Sequence, residues 1–368
     1  MRLVFLCKRR YMSKDVIEDR YARLYEIPRQ LARLGHEVQA FCLAYQGQSK
    51  GEWTHDCEPG TVTWHSTPLN LKSIGYPRAL LKTLSQFKPD VLIAASDIPH
   101  IVLGGYLARK LAIPYFVDLY DNFEGFGQAK IPFFVSLLRR VTARAQLVTT
   151  TSDLLKDYVQ THYSPQGRVV AMPSAVDTAV FCARPKSDCR EELGLPKDVK
   201  LIGTAGGLYR EKGIELLLDA WQRLQHGRPD VHLVLAGPVE KGLELPSGPR
   251  VHYLGLLPHE KVAKLFCALD VGVICVLDSV FGRYSFPQKA YEMLACHLPL
   301  VVSDVGAMGQ LFAKWPSCLA KLGDTEDMVG KILAQLTSPV LPSTDIKDWR
   351  GQVAIIDQTI RQLDRSHP

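Results

Sequence analysis

Short runs of almost unbroken apolar residues, separated by longer amphipathic stretches, recur along most of this chain. In the first half they are Leu3–Cys7, Val38–Leu43, Val91–Ala94, Tyr115–Val117, Leu147–Thr150 and Val169–Ala171. A strand that is apolar on both faces must be covered on both faces, which argues for parallel sheets flanked by helices. The clearest helix is Tyr21–Leu34, closed by Gly35 as its C-cap. After a break at Val176–Val199, rich in Pro and charge, the alternation restarts. Strands are expected at Leu201–Thr204, Val231–Ala236, Val251–Leu254, Val271–Val276 and Leu300–Ser303, and helices at Gly213–Leu224, His259–Ala268 and Gln288–Cys296. Beyond Asp324 the pattern is helical only, with Thr325–Leu336 and Asp345–Leu363 parted by Pro339–Pro342. The fold class is therefore α/β, with two Rossmann-like domains. The expected bounds are 1–180 for the first domain, 181–198 for a linker, 199–345 for the second domain and 346–368 for a last helix packing across the domains.

At 368 residues the chain is long enough for two ordinary cores. It has no run of eighteen apolar residues, so a spanning helix is not expected, and its start, MRLVFLCKRR, lacks the order of a signal peptide. Nine cysteines stand singly, with no CxxC pair, a pattern of free thiols in a reducing cytoplasm. Residues 1–186 carry 24 basic against 16 acidic side chains and the remainder 20 against 22, so the positive excess lies wholly in the first half. That half suits a phosphorylated acceptor or a peripheral contact with anionic lipid at the inner face of the membrane, or is simply a solvated basic surface. No nucleic-acid partner is expected.

The stretch Tyr284–Gly306, YSFPQKAYEMLACHLPLVVSDVG, reads as a loop, a helix from about Gln288 and a buried strand. Such a unit can hold an anionic ligand at the helix start. Glu292 lies one turn beyond Lys289 on the same face, and on spacing alone it is either a surface ion pair with Lys289 or a ligand-binding carboxylate.

Taken in order, several segments resemble the retaining nucleotide-sugar glycosyltransferases of family 4, which adopt the GT-B fold. GTAGGLYREKGIELLLDAW (Gly203–Trp221) resembles that family's Gly-rich strand exit. HLVLAGP and VHYLGLLPHEKVAKLFCALDVGV resemble the next two strand–helix units, and SFPQKAYEMLACHLPLVVSDVG resembles the donor-binding signature. LARLGHEVQAF, KPDVLIAAS and MPSAVDTAVF are similar to the first-half counterparts. The resemblance implies two sheets facing a central cleft, with the C-terminal helix crossing back, and a nucleotide-diphosphate sugar as donor substrate without further cofactor or metal. It places Glu292 on the donor ribose, where each carboxylate oxygen can accept one hydroxyl. It places Lys212 on the diphosphate, Gly206 and Gly207 where backbone approaches it, Leu256 beside the base, and Tyr284, Ser285, Phe286 and Lys289 in the donor-binding signature.

The sequence departs from the family in four places. Tyr284 stands where the signature's first Glu would contact the sugar. Gly207 replaces the Arg five before Lys212, with Arg210 as the nearby substitute. CKRRYMSKD replaces the first Gly-rich loop, so that Arg9, Arg10 or Lys14 would reach phosphate or face an acceptor or membrane. Tyr120 replaces the His after the fourth strand. That leaves Asp121 and Glu124 as the groups to orient an acceptor hydroxyl, with Lys212 as the third catalytic residue; a helix cap is the competing role for Asp121. His100 borders the cleft or serves the core.

These expectations describe an enzyme moving a hexose to a glycan or lipid-linked acceptor with retention of configuration, as in polysaccharide biosynthesis. The alternatives are a non-catalytic nucleotide- or glycan-binding partner of another transferase, and a nucleotide-sugar epimerase or hydrolase.

Overall fold

Parallel strands cannot be joined by tight turns, so each apolar run must be followed by a crossover, and the helices supply it. The computed structural model describes residues 1–11, 14–173, 175–284, 288–343 and 347–365. It divides into two units, 1–173 with 349–368, and 174–348.

The first unit contains β1 (Arg2–Lys8), β2 (Arg10–Tyr11), β3 (Lys14–Asp15), α1 (Ala22–Arg33), β4 (Glu37–Ala44), β5 (Gly51–Cys57) and β6 (Gly60–Pro68). It continues with α2 (Tyr76–Phe87), β7 (Val91–Ala95), α3 (Ile98–Leu111), β8 (Tyr115–Leu119), α4 (Phe134–Thr142), β9 (Leu147–Thr150), α5 (Asp153–Tyr163) and β10 (Arg168–Ala171). Its eight-stranded sheet has the order β10-β9-β8-β7-β1-β4-β6-β5. All pairs are parallel except β5–β6, a hairpin at the edge. The apolar-run criterion passes over that hairpin because β5 alternates exposed and half-buried residues, as an edge strand does.

A buried ion pair ties α1 to this sheet. Arg23 and Asp118 are 1% and 0% exposed. Arg23 Nε donates to both Asp118 oxygens at 2.8 and 3.1 Å, Nη2 donates to Oδ1 at 2.6 Å, and Nη1 reaches the Met172 carbonyl at 2.5 Å. Thr149 Oγ1 adds a fourth hydrogen bond to the carboxylate.

The second unit holds α6 (Lys186–Glu192), β11 (Lys200–Ala205), α7 (Ile214–Gly227), β12 (Val231–Ala236), β13 (Val251–Tyr253), α8 (His259–Ala268) and β14 (Val271–Ile274). Then follow α9 (Val280–Tyr284), α10 (Gln288–Ala295), β15 (Leu300–Ser303), α11 (Gly306–Phe312), β16 (Leu319–Ala320) and α12 (Thr325–Thr337). The sheet order is β13-β12-β11-β14-β15-β16, all parallel. Leu217, Trp221 and Leu224 of α7 pack with Met328 and Ile332 of α12 over one face.

Two boundaries differ from the sequence reading. The stretch 181–198, expected as a linker, folds into the second unit. Its buried Arg190 donates to the carbonyls of Ala268, Lys197 and Val199 and pairs with Asp270 at 2.7 Å. Prolines and charges signal a break in periodicity but not whether its polar groups find partners. The first unit also ends at Pro173 and resumes with α13 (Trp349–Arg365), whose Val353, Ile356 and Ile360 join the core of α1 and β1. Asp357 of α13 meets His36 at 2.7 Å.

Removing one member of a buried ion pair leaves an uncompensated charge, which costs about 3–5 kcal/mol. Asp118→Ala and Arg23→Met should each lower stability to urea by that order, whereas the double variant Arg23→Met/Asp118→Leu should lose less than either alone.

Candidate functional site

In both sheets the strands that follow the first in the chain add to one side of it (β4, β5 and β6 beside β1, β12 and β13 beside β11), and the later strands add to the other. The connections on either side leave to opposite faces, and the crevice they open at the strands' C-terminal ends is where α/β sheets bind ligands. In the second unit that point lies between β11 and β14, in the first between β1 and β7.

β11 exits into Gly206, with φ +116°, and a methyl group there would stand 3.8 Å from Lys289 Nζ. Glycine thus keeps backbone close to that cation and leaves the space open. The chain runs on through a one-turn helix, Arg210–Lys212, to Gly213, whose φ of +75° starts α7. The Lys212 cation lies 5.4 Å from the Tyr209 ring centroid. From the opposite side, Lys289 near the start of α10 donates to the Ala205 carbonyl at 3.2 Å and to Thr204 Oγ1 at 3.4 Å, both at the end of β11. Burial, reinforced by the charge of Lys212, lowers the Lys289 pKa to about 8. Two cations therefore converge beside two helix N-termini, an arrangement suited to phosphate.

Glu292 sits one turn further along α10 and is 5% exposed, which excludes the surface ion pair. Its Oε1 accepts from Gln288 Nε2 at 3.0 Å. Burial raises its pKa from 4.5 to about 7, against the opposing effects of Gln288 and Lys289. A buried carboxylate with one side-chain donor among the described residues is suited to receiving hydroxyl hydrogens.

Other expected donor contacts divide. Leu256 is 71% exposed just past β13 and follows Gly255, whose carbonyl accepts from Gly237 N–H at 2.7 Å. Gly207 follows Gly206 at the β11 exit, and Tyr284 ends α9, half-buried. Ser285 and Phe286 lie outside the described residues. Arg210 does not fill the place of the missing Arg: its Nε donates to Glu215 at 3.1 Å, its Nη2 to the Gly242 carbonyl at 2.8 Å, and Nη1 lies 3.5 Å from Glu240.

In the first unit the cation at the crevice is Lys8, the last residue of β1, rather than the Arg9, Arg10 or Lys14 that the sequence points to. Its Nζ donates to Tyr120 Oη at 3.0 Å, and its backbone N–H donates to Ser96 Oγ at 2.9 Å. Tyr120 Oη in turn donates to the Ser96 carbonyl at 3.0 Å. Burial lowers the Lys8 pKa, with Asp97 opposing. His100 is 1% exposed, and its Nδ1 lies 2.5 Å from Asp97 Oδ1, while Nε2 has no partner among the described residues. Asp121 is buried, and its Oδ1 accepts the Asn122 N–H at 2.8 Å.

Two calls are overturned here. Arg9 is 1% exposed and fully spent inside the unit, donating to Asp15 (2.9 Å), Glu18 (2.9 Å), the Ser49 carbonyl (2.8 Å) and Ser66 (3.1 Å), with Trp53 at 4.7 Å. Glu124 accepts Arg139 at both oxygens (2.8 and 2.6 Å) and Tyr158 Oη at 3.0 Å. Burial raises the Glu124 pKa, but these bonds outweigh it and the net shift is down, so the carboxylate is a structural anion rather than a base. Arg10 bonds Gln46 at the surface, and Lys14 pairs with Tyr11 in the small β2–β3 ribbon. Among the described residues no cluster of three His, Cys, Asp or Glu could hold a metal, and no helix is long and apolar enough to cross a membrane.

Residues 22–175 match the family described as "Glycosyl transferase 4-like domain", and residues 199–338 match "Glycosyl transferases group 1". A Bacillus subtilis protein named as a teichuronic acid biosynthesis glycosyltransferase, TuaC, is 26% identical over 72% of this chain and 64% of its own length. The D-inositol 3-phosphate glycosyltransferase of Mycobacteroides abscessus is 26% identical over 52% of this chain and 44% of its own. The matches thus span less than two thirds of these relatives. Among solved structures, sucrose-phosphate synthase from Thermosynechococcus elongatus superposes with a TM-score of 0.71 at 17% identity, covering 100% of this chain and 98% of that one. Anabaena Alr3699/HepE in complex with UDP-glucose gives 0.69 at 17% identity, covering 100% of both chains. These structural likenesses establish the GT-B fold.

A carboxyl whose pKa rises on folding takes up a proton, so Glu292 lowers stability progressively as pH climbs from about 4.5 to about 7. Glu292→Gln should abolish that slope. In urea melts without ligand the variant should exceed the parent by up to about 3 kcal/mol at pH 8, converging with it toward pH 4.5.

Proposed function

The chain belongs to the family 4 glycosyltransferases of the GT-B fold, and on that premise we propose that it moves a hexose from a nucleotide-diphosphate sugar to a glycan or lipid-linked acceptor with retention of configuration. The observation that carries this reading is the convergence of Lys212, Lys289 and Glu292 at the β11–β14 crevice. A nucleoside diphosphate has a diol and a polyanion a few bonds apart, and here the buried Glu292 carboxylate stands one helical turn from Lys289, whose cation is close enough to Lys212 to feel its charge.

In this reading Glu292 accepts the ribose hydroxyls, and its protonation equilibrium shifts to the carboxylate when they arrive. Lys212 and Lys289, with the N-termini of α7 and α10, stabilise the charge that grows on the leaving diphosphate, a task that cations fixed in advance perform with little reorganisation. Because both charges come from the protein, no metal is required of the mechanism. The diphosphate takes the acceptor's proton on the face it leaves, so the new bond forms on that same face and configuration is kept. In the first unit Lys8 and Tyr120 line the crevice, and Asp121 is the carboxylate that orients the acceptor hydroxyl. Tyr284 offers the sugar one phenol where the family has a carboxylate, which bears on which hexose is taken.

Thermal-shift screening against UDP, GDP, ADP and their sugars tests the reading, since a ligand bound only by the native state raises the melting temperature. One nucleotide class should raise it. Glu292→Ala and Lys289→Met should each weaken that nucleotide at least tenfold, consistent with a lost charge-assisted bond of about 2 kcal/mol. Affinity in the parent should peak between pH 7 and 8, where Glu292 has ionised and Lys289 is still charged. No shift with any nucleotide, or unchanged affinity in both variants, would overturn the assignment.

A further inference from the structure

The helices α2, α3 and α4 carry a feature that donor binding does not use. Pro77, Val102, Leu103, Tyr106, Phe134 and Leu137 help line an open groove of about 440 Å³ whose only polar side-chain atom is the Tyr106 phenol. Ile74 lies three residues before Pro77, and Phe133 adjoins Phe134. They are 86% and 80% exposed, the two highest values among the described large apolar residues. Scattered exposed apolar side chains are ordinary, but two this exposed, each on a segment that also lines an apolar groove, mark this face as one suited to contact. Phe133 is moreover held at φ +68°, a left-handed conformation unfavourable for a bulky residue, at the start of α4.

The charge on the same elements identifies the contact. Residues 71–88, 98–112 and 125–146 contain ten Lys or Arg and no Asp or Glu. Arg139 is engaged by Glu124, while Arg78, Lys82, Lys130, Arg140 and Arg144 are exposed. A second copy of the chain meeting this face about a twofold axis would set these positive charges against themselves. An apolar patch within a basic field instead matches a surface with an anionic rim over a hydrocarbon interior.

We propose that this face docks the protein on an anionic phospholipid bilayer, with Ile74 and Phe133 entering the boundary between headgroups and acyl chains and the basic side chains meeting lipid phosphates. The inference rests on the first unit alone and stands apart from the transfer reading, so nucleotide binding and membrane binding can fail separately.

Co-sedimentation of the full chain with vesicles of phosphatidylcholine alone, and of phosphatidylcholine mixed with phosphatidylglycerol, tests it. The protein should partition to the mixed vesicles only, less so as salt is raised, because screening shortens the reach of surface charge. Ile74→Ser/Phe133→Ser, and separately Arg78→Glu/Lys82→Glu/Arg140→Glu, should each reduce partitioning by about tenfold or more. All five positions are exposed, so the melting temperature should hold in both variants. Equal binding to both vesicle types, binding to neither, or partitioning unaffected by either variant would overturn the proposal. So would a dimer in analytical ultracentrifugation that Ile74→Ser/Phe133→Ser dissociates, since the face would then join two copies.

Discussion

Right-handed crossovers let a parallel sheet grow from its first strand in two directions only, and the two polar crevices described above lie where those directions part. In the second unit the parting of β11 and β14 gathers Gly206, Lys212, Lys289 and Glu292, which are spread over nearly ninety residues of chain. In the first unit the parting of β1 and β7 gathers Lys8, Ser96, Asp97 and His100. The two halves share no close sequence repeat, so what they have in common is the geometry of the sheet.

The buried charges separate into two kinds. Arg23 with Asp118, and Arg9 with Asp15, are saturated by partners inside the first unit, and their role is to fix α1 and the β1 exit against the sheet. Lys289 and Glu292 are less well satisfied: burial pulls one pKa down to about 8 and drives the other up to about 7. Groups held near neutrality at such a cost are what a site for a charged, hydroxylated ligand requires. The same distinction disqualifies Arg9, Glu124 and Arg210, whose charges are used within the fold.

The alternation of apolar runs with helices was enough to place eleven of the fourteen strands of the two large sheets, all but β5, β6 and the two-residue β16, and most of the helices of the second unit. It missed the β5–β6 hairpin, because an edge strand alternates in burial, and it misjudged residues 181–198, because a segment rich in Pro and charge can still find partners. Ordered motif matches singled out Glu292 and Lys212, and the fold brings both to the β11–β14 crevice. Composition located the positive excess in the first half but could not say which of its basic residues were already paired.

The sequence by itself determined the α/β class, the two-unit organisation and the family, because these follow from local periodicity and from the order of short motifs. Only the tertiary structure decided which charges are free to act. Arg9 and Lys8 are adjacent in the chain, yet one is enclosed by carboxylates and the other stands at the crevice beside Tyr120. The partners that make this difference come from residues as distant as Tyr120, and no local pattern records which distant side chain will arrive.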